Sequence, residues 1–349
     1  MDRISKKQPW WSREAHEDRQ PFLMSRGLIR TAVRSWFEAQ GFTEVEIGSL
    51  QTTPGNEAHL HAFQTEFIDT DLSRRRLYLH TSPELACKKL LAAGERKIFS
   101  LGPVYRNRER GPLHAPEFTM LEWYRAGAPY RDVMADCIAL LKVAADITKN
   151  GDWHWHSVSC NPLKQAHRTT VAEALKQLAG IDLLVTLAAD GPDRDALAAQ
   201  AAAAGINVAD DDTWSDIFSR FVVTIEPRLG VGTSTLLTEY PTVEAALARP
   251  CPHDARVAER FELYCCGVEL ANGFGELTDA DEQRRRFNAE MEKKEKRYGQ
   301  RYPLDEDFLS ALSHMPPASG CAVGFDRLVM LATGASRIDQ VLWTPLPDA

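Results

Sequence analysis

The sequence predicts an α+β fold in which a largely antiparallel sheet is flanked by helices. Strand-like and helix-like segments are mixed along the chain, without the regular βαβ alternation of a parallel α/β protein. The patterns of residues 98–107 (IFSLGPVYRN) and 116–126 (PEFTMLEWYRA) indicate an antiparallel hairpin. A Gly-rich turn that runs into an amphipathic segment, residues 320–334 (GCAVGFDRLVMLATG), predicts a strand followed by a helix.

The first quarter of the chain is predicted to contain an arm, a helix and three strands. Residues 1 to about 20 are polar and charged around Trp10 and Trp11, and we interpret them as an arm that docks by these two rings. Apolar residues from Leu28 to Phe37 fall at three- and four-residue spacing, which predicts a helix that ends near Gly41. The patterns of FTEVEI, HLHAFQTEFIDTD and RRRLYLH predict strands, with a turn at TTPGN.

The rest of the chain alternates between similar elements. TSPE at residues 81–84 starts a helix, because proline is favoured in the first helical turn, and another helix is predicted over 131–149. The character changes from 150 to about 215, where Ala-rich segments indicate a helical insertion. Strands in RFELYCCGVEL and a charged helix over 281–298 then precede the final strand and helix.

Composition excludes several classes of protein. A chain of 349 residues with 44% hydrophobic and 26% charged residues is typical of a globular protein. No apolar run approaches the roughly 18 residues of a membrane span, and the N-terminus has no apolar signal core, so we expect a cytoplasmic protein without a membrane partner. Seven cysteines without a C-x-x-C pair predict reduced thiols, and a net charge of −8 argues against a protein whose main task is to hold nucleic acid.

Two arginines occupy positions that suit phosphate binding. Arg106 precedes a polar loop, and Arg327 begins the final helix. Guanidinium groups bind phosphate oxygens through bidentate, charge-assisted hydrogen bonds. After the loop, the chain returns through further candidates at largely even spacing, namely His114, Phe118, Glu122 and Tyr124. Most arginines are solvated and most strand aromatics belong to the core, but this combination predicts a nucleotide site.

Carboxylates accompany the arginines. Glu262 and Glu269 have opposite strand parity unless a bulge or turn at 265–267 resets the phase, and by spacing alone they are most simply surface residues. Together with water and triphosphate, however, such carboxylates are what Mg²⁺ requires. A further polar set comprises Glu84, Glu122, Tyr124 and Glu276. Because several acidic groups are costly to bury without a cation, this set predicts a substrate with ammonium groups.

Three other patterns are interpreted as structural. The histidines of DWHWH (152–156) share a strand face but lack a third ligand, so a plain strand is preferred to a metal site. Cys265 and Cys266 are assigned no chemistry. The run EMEKKEKR (290–297) is interpreted as a solvated helix face with i, i+4 ion pairs.

These motifs resemble the catalytic core of the class II aminoacyl-tRNA synthetases, specifically of the lysyl branch. RNRERGPLHAPEFTMLEWY (106–124) is similar to motif 2 of that family, GVELANGFGELTDA (267–280) to its amino-acid and metal strand, and GCAVGFDRLVML (320–331) to motif 3. With TSPE, the resemblance implies a catalytic domain over 27–349, interrupted by the insertion at about 150–215 and preceded by an arm at 1–26.

The arm is too short for the anticodon-binding barrel of lysyl-tRNA synthetases, so we expect no anticodon-type tRNA recognition. The chain is similar instead to truncated bacterial paralogues, which TMLEWYR and GELTDA match especially well. That resemblance implies an ATP- and Mg²⁺-dependent ligase, expected to be a homodimer, that activates (R)-β-lysine or lysine and attaches it to a lysine of elongation factor P. Two alternatives stay open: an enzyme that charges an RNA or releases lysyl-adenylate, and a catalytically silent regulator.

The resemblance also implies roles for matching residues. Arg106 would hold the α-phosphate and the reacting carboxylate, Arg327 would hold the γ-phosphate and cover the adenine, and Phe118 would support the adenine ring. Glu262 and Glu269 would bind Mg²⁺. The remaining residues at ATP are Asn107, Arg108, His114, Leu270 and Gly324, and those at the amino acid are Ser82, Glu84, Glu122, Tyr124, Asn272, Glu276 and Ala322.

Three positions depart from the pattern of lysyl-tRNA synthetases. Arg108 replaces a glutamate, so either Glu109 reaches in by a loop shift or the adenine contact is made differently. Gly48 replaces a proline of motif 1, the dimer motif of the family. Ala322 replaces a glycine, and we expect its methyl group to favour β-lysine over α-lysine. Activation needs no general base, whereas no residue is assigned to take the proton released in the transfer step.

Overall fold

A computed structural model describes residues 9–188 and 191–347, so residues 1–8 of the predicted arm lie outside the described part. The helices there are α1 Arg13–Ala39, α2 Glu84–Ala92, α3 Tyr130–Thr148, α4 Val171–Ala179, α5 Arg194–Ala203, α6 Trp214–Ile225, α7 Ala280–Tyr298, α8 Glu306–Leu312 and α9 Phe325–Thr333. Among the described residues, none of these helices combines the length and apolar character needed to cross a membrane.

The strands are shorter and more numerous. They are β1 Thr43–Glu44, β2 Leu50–Gln51, β3 Gln64–Ile68, β4 Arg74–Leu79, β5 Lys97–Tyr105, β6 Glu117–Ala126, β7 Trp153–Trp155, β8 Val158–Asn161, β9 His167–Thr170, β10 Leu187–Ala188, β11 Gly191–Pro192, β12 Gly232–Thr233, β13 Thr235–Pro241, β14 Pro250–Cys251, β15 Asp254–Cys265, β16 Val268–Gly275 and β17 Ala318–Gly324.

One large sheet confirms the predicted α+β fold. Its order is β1-β5-β6-β17-β16-β15-β13-β9, with β14 also paired to β15. Every pairing is antiparallel except β1 with β5 and β13 with β9. The predicted hairpin of β5 and β6 is confirmed from Lys97↔Arg125 to Tyr105↔Glu117. The sheet is therefore largely antiparallel, as the mixed order of elements predicts.

Alternation along β6 divides the molecule into two sides. Leu121 and Trp123 pack into the core beneath α1, α3 and α9, where the Phe37 and Phe99 rings are stacked with centroids 4.7 Å apart. Tyr124 points to the other side, into a smaller core formed with α2, α7 and α8. Because successive strand residues face opposite ways, one strand supplies both the hydrophobic core and the polar face of a cleft.

The insertion forms its own hydrophobic cluster. Helices α4, α5 and α6 bury Leu175, Leu197 and Phe221 against one another, and the rings of Trp214 and Phe218 stack at 5.3 Å. Helix α6 continues to Ile225, beyond the end near 215 that the sequence predicts. The chain then returns to the main sheet through β13.

Two predictions near the N-terminus are wrong in extent. Helix α1 begins at Arg13, where Ser12 caps it, so the predicted arm is shorter and the boundary at residue 26 falls within a helix. The sequence does not reveal the start of this helix, because a polar residue, Arg19, lies on its buried face. The Arg19 side chain donates hydrogen bonds to carbonyl oxygens near the C-terminus, including that of Trp343 at 3.3 Å. The FTEVEI strand is reduced to β1, and Gly48 lies in the irregular segment that follows it.

Candidate active site

A cleft of about 260 Å³ opens on the polar side of β6, between the β5–β6 loop, β16, β17 and the start of α9. Eleven predicted site residues line it: Ser82, Glu84, Arg106, His114, Phe118, Glu269, Leu270, Asn272, Ala322, Gly324 and Arg327. Four more are buried behind its walls: Glu122, Tyr124, Glu262 and Glu276. The two others, Asn107 and Arg108, are exposed on the β5–β6 loop.

Arg106 lies directly after β5 with its guanidinium over the Phe118 ring, 5.3 Å from the centroid. Its Nε donates a hydrogen bond to the Thr81 carbonyl oxygen at 3.3 Å. Phe118 is only partly buried, since it lies at the cleft end of β6. A cation and an aromatic face are therefore together in the cleft, although 12 positions separate them in the chain.

Arg327 connects the start of α9 to the β5–β6 loop. Its Nη1 donates to the Glu269 carbonyl oxygen at 2.9 Å, and its Nη2 lies 2.9 Å from His114 Nε2. Because a guanidinium only donates, His114 Nε2 must accept, so the proton of the neutral ring is on Nδ1. Burial and the neighbouring Arg327 lower the pKa of His114, which favours that neutral ring. His114 lies on the loop and not on the strand that its spacing suggests.

Asp326 positions this end of α9, and the sequence analysis missed it. The Asp326 carboxylate is buried, pairs with Arg26 of α1, and accepts a hydrogen bond from the Thr119 backbone NH at 2.7 Å. Three elements are therefore fixed together next to Arg327. No local pattern could reveal the pair, because Arg26 and Asp326 are 300 residues apart in the chain.

Glu84 and Glu276 share a cation that the sequence analysis also missed. Lys88 is buried on α2, pairs with Glu84 one turn earlier, and its Nζ lies 2.6 Å from Glu276. Burial opposes the charge on Lys88, but Glu276 and Glu84 together raise its pKa, so the group is an ammonium. The i, i+4 spacing of Glu84 and Lys88 was the available signal. The prediction that both glutamates await a substrate is therefore incomplete.

Glu122 is a buried carboxylate held by two hydroxyl groups. It accepts hydrogen bonds from Ser82 Oγ at 2.8 Å and from the Tyr124 hydroxyl. Burial and the charge of Glu84 raise the pKa of Glu122 to about 8. Burial, opposed by Lys88, raises the pKa of Glu276 to about 7. When Glu84, Glu122 and Glu276 are all ionised, Lys88 offsets one charge and leaves two negative charges.

The predicted metal residues are brought together by the β15–β16 hairpin. Its turn uses positive φ at Cys266 and Gly267 (56° and 73°), and a bulge follows Leu263. The alternation of strand faces is therefore reset, as a shared site of Glu262 and Glu269 requires. Burial and the charge of Glu262 raise the pKa of Glu269 to about 7. The surface alternative is wrong for Glu262, which is buried.

The oxygens of Glu262 already have partners. Arg260 lies 2.6 Å from one, and the Tyr264 hydroxyl donates to the other at 2.6 Å. Glu226, at the end of α6, also lies near Tyr264, at 3.3 Å. Within residues 9–188 and 191–347, no cluster of three or more metal-ligating side chains occurs. The donor set nevertheless fits Mg²⁺, which is usually held by one or two carboxylates plus substrate phosphates.

The departure at Arg108 changes the direction of the loop. Arg108 has a positive φ of 66°, and its guanidinium lies 6.0 Å from the centroid of the Tyr298 ring, on α7. The next residue, Glu109, lines the cleft. Glu109, and not Arg108, therefore lines the cleft, as the first of the two alternatives predicts.

Helix α7 holds a segment at the cleft mouth, residues 56–62 (NEAHLHA). Lys294 is buried and donates to the carbonyl oxygens of Ala58 at 3.0 Å and Leu60 at 2.6 Å. Burial and Arg108 lower the pKa of Lys294 to about 8. The interpretation of 290–297 as a solvated face is therefore wrong at this residue. The segment places Glu57, another residue that the sequence analysis missed, at the cleft.

Comparisons with known proteins agree on the family. A family model described as tRNA synthetases class II (D, K and N) matches residues 4–347. The chain is 38% identical to the elongation factor P--(R)-beta-lysine ligase of Pseudoalteromonas translucida, over 92% of this chain and 94% of the relative. Ligases of the same name from Vibrio cholerae (36% identity, covering 94% and 96%) and Salmonella arizonae (38%, covering 92% and 94%) are similarly related.

Proposed function

The chain belongs to the class II tRNA synthetases (D, K and N), and we propose that it is an ATP-dependent ligase that activates (R)-β-lysine and transfers it to a lysine side chain of elongation factor P. One observation carries the choice of substrate within the family. When ionised, the three carboxylates of the inner pocket exceed the charge of Lys88 by two, and the outer cleft has Arg106 and Arg327. A substrate with two ammonium groups and one carboxylate complements this arrangement.

The amino acid would bind with its ammonium groups toward Glu84, Glu122 and Glu276. The Asn272 Oδ1 atom is buried and, within the described residues, has no hydrogen-bond partner, so it is available to a substrate ammonium group. The substrate carboxylate would face Arg106. Binding of this kind fixes the carboxylate near the phosphates and converts a bimolecular attack into a positioned one.

Activation would depend on positioning and charge. The carboxylate, already ionised, attacks the α-phosphorus, the bond to pyrophosphate breaks, and Arg106 and Arg327 stabilise charge on the phosphate oxygens. Phe118 would support the adenine, with Glu109 at the adenine edge. Glu269, with Glu262 behind it, would hold Mg²⁺, which neutralises phosphate charge when bound.

Intact-mass spectrometry would test the proposed function. The purified chain is incubated with ATP, Mg²⁺, (R)-β-lysine and elongation factor P from the same organism. We expect the mass of elongation factor P to rise by one lysyl residue, and we expect Arg327→Ala to abolish pyrophosphate exchange while the protein stays folded. An unmodified acceptor together with robust charging of tRNA would favour the RNA-charging alternative.

Ala322 is proposed to select β-lysine. On the sheet, it is the register partner of both Glu122 and Asn272, and it lines the cleft. Its methyl group would therefore occupy the space next to the α-carbon. We expect Ala322→Gly to lower the preference for (R)-β-lysine over α-lysine, measured as the ratio of kcat/KM in pyrophosphate exchange. Equal ratios before and after the change would remove Ala322 from this role.

We also propose a cytoplasmic homodimer. Met24 and Leu28 lie one turn apart on α1 and are 57% and 58% exposed, so this helix presents an apolar strip near the motif 1 region. Light scattering should give twice the chain mass, and Leu28→Glu should shift it toward the monomer. A monomeric wild-type chain at micromolar concentration would contradict the dimer.

A further inference from the structure

Transfer of the activated amino acid to an amine requires a group that accepts a proton, and a side chain of the cleft could supply it. Attack by the acceptor nitrogen on the activated carbonyl carbon forms a C–N bond, and the C–O bond to the phosphate of AMP breaks. The leaving AMP takes the electron pair, and the nitrogen must lose a proton. A positioned side-chain base commonly accelerates such a step by about 10² to 10⁴.

Most ionisable groups of the cleft are already occupied. Glu84 and Glu276 pair with Lys88, and Glu122 accepts from Ser82 and Tyr124. Glu269 lies 3.5 Å from Arg327. The unprotonated nitrogen of His114 faces the same arginine, so it is also unavailable. These groups are committed to substrate binding or to one another.

Glu57 differs from them. Its side chain lines the cleft together with Arg106, Ser82 and Glu84, and it is exposed at the cleft mouth. In the described part of the chain, no hydrogen bond or ion pair reaches its carboxylate. Glu109 is the other unoccupied carboxylate, but it lies on the β5–β6 loop beside His114, at the end where the adenine is expected.

Both sequence neighbours of Glu57 are held by hydrogen bonds. Asn56 Nδ2 donates to the Pro303 carbonyl oxygen at 3.2 Å, and the Ala58 NH donates to Glu290 at 3.1 Å. The Ala58 carbonyl accepts from the buried Lys294. A carboxylate without partners is therefore held on a rigid support, which is the arrangement that a positioned base needs.

The electrostatic surroundings of Glu57 suit proton acceptance. Contact with one cleft wall partly desolvates the exposed carboxylate and raises the pKa of Glu57, Arg106 opposes the rise, and Glu84 adds to it. A raised pKa brings a carboxylate closer to the pH at which it must both accept and release a proton. The influence of Arg106 also places Glu57 within electrostatic range of the residue proposed to hold the reacting carboxylate.

We propose that Glu57 is the catalytic residue that accepts the proton from the attacking amine of the acceptor lysine. The inference rests on the proposed function and adds a residue to its second step. As the C–N bond forms, one N–H proton passes to a Glu57 oxygen, AMP leaves, and Glu57 then releases the proton to solvent. Because the residue lies at the mouth, it acts on a nucleophile that arrives from outside.

The test measures activation and transfer separately in the Glu57→Gln variant. Pyrophosphate exchange and trapping of the adenylate by hydroxylamine, which is largely unprotonated at neutral pH, should match the wild-type rates. Single-turnover transfer to elongation factor P should fall by about 10² to 10⁴. The deficit should narrow as pH rises, because hydroxide from the solvent then increasingly takes the N–H proton that Glu57 would accept. Glu57→Asp should recover part of the rate, and Glu66→Gln, on an exposed strand, should leave it unchanged.

Each other outcome counts against the proposal. Wild-type transfer rates in Glu57→Gln, or equal losses in exchange and transfer, would overturn it, since the second result would make Glu57 a substrate-binding residue. A wild-type enzyme that forms the hydroxamate of (R)-β-lysine but never modifies elongation factor P would overturn the proposed function, and this inference with it.

Discussion

At the scale of single residues, the amino-acid pocket depends on carboxylates that are held partly protonated. Glu122 and Glu276 are almost fully buried, and their pKa values are raised to about 8 and about 7. A substrate ammonium group stabilises the ionised form of each. Binding of the amino acid should therefore release protons from the pocket.

The first prediction concerns this proton release. Between pH 6 and 8, the affinity for (R)-β-lysine should increase, because less free energy is then spent on ionising Glu122 and Glu276. Calorimetry in two buffers that differ in ionisation enthalpy should detect proton release at pH 7. Glu122→Gln should bind more weakly, with a flatter pH dependence. If binding releases no proton anywhere between pH 6 and 8, the raised pKa values of Glu122 and Glu276 are contradicted.

The second prediction compares two glycines of β17. A Cβ atom at Gly320 would lie 2.4 Å from the Tyr124 ring and 2.7 Å from Glu276 Oε1, whereas one at Gly324 would lie 3.5 Å from Arg327 Cδ. Gly320→Ala should therefore lower the melting temperature and the affinity for the amino acid. Gly324→Ala should fold normally but raise KM for ATP, if nucleotide approaches this backbone. Similar melting temperatures for the two variants would refute the steric argument.

At the scale of elements, α7 supports one side of the cleft. Most of its charged residues are solvated, yet Lys294 crosses to segment 56–62 and bonds two carbonyl oxygens there. The Tyr302 hydroxyl, after the helix, accepts from the Ala62 NH at 2.9 Å. The position of Glu57 therefore depends on a helix more than 220 residues away in the chain.

The third prediction tests that support. Lys294→Met keeps the apolar stem but leaves the Ala58 and Leu60 carbonyls without their donor, so the free energy of unfolding should fall by about 2–3 kcal/mol. Limited proteolysis should then cut within 56–62. Lys293→Met is the matched control, because Lys293 is exposed and, among the described residues, has Glu290 as its one ion-pair partner, at 2.7 Å. Equal stability of the two variants would show that the buried ammonium does not hold the segment.

At the scale of the whole molecule, the buried acids link folding to pH. Glu122 has a folded pKa of about 8, against roughly 4.3 for an unfolded glutamate. The stability that such a group contributes is fully present below the unfolded pKa and is lost as pH rises through the folded pKa. A site prepared for a cationic substrate should therefore destabilise the ligand-free protein at alkaline pH.

The fourth prediction follows from this linkage. Without ligand, the urea midpoint should decrease from pH 5.5 to pH 8.5, and saturating (R)-β-lysine should reduce the decrease. In Glu122→Gln, which cannot ionise, the decrease should be smaller than in the wild type. Parallel pH profiles for the two proteins would show that Glu122 is not the source of the linkage.

The sequence alone determined the features that are local or periodic. Alternation predicted the β5–β6 hairpin, local patterns within single segments predicted α2, α3, α7 and α9, and the ordered motifs predicted the family. Eleven of the predicted site residues line one cleft, because the strands, loops and helix starts that carry them border the same face of the sheet. Such features depend on neighbours within a few residues, which the sequence displays directly.

Tertiary structure decided which charges have partners. Lys88 neutralises part of the predicted ammonium pocket, Asp326 pairs with an arginine 300 residues away, and Lys294 is buried within a run that looks solvated. Among the residues that the structure describes, Glu57 has no hydrogen-bond or ion-pair partner, and its segment forms no helix or strand. These outcomes depend on distance in space, because desolvation and Coulomb interactions act between groups that folding brings together, whatever their separation in the chain.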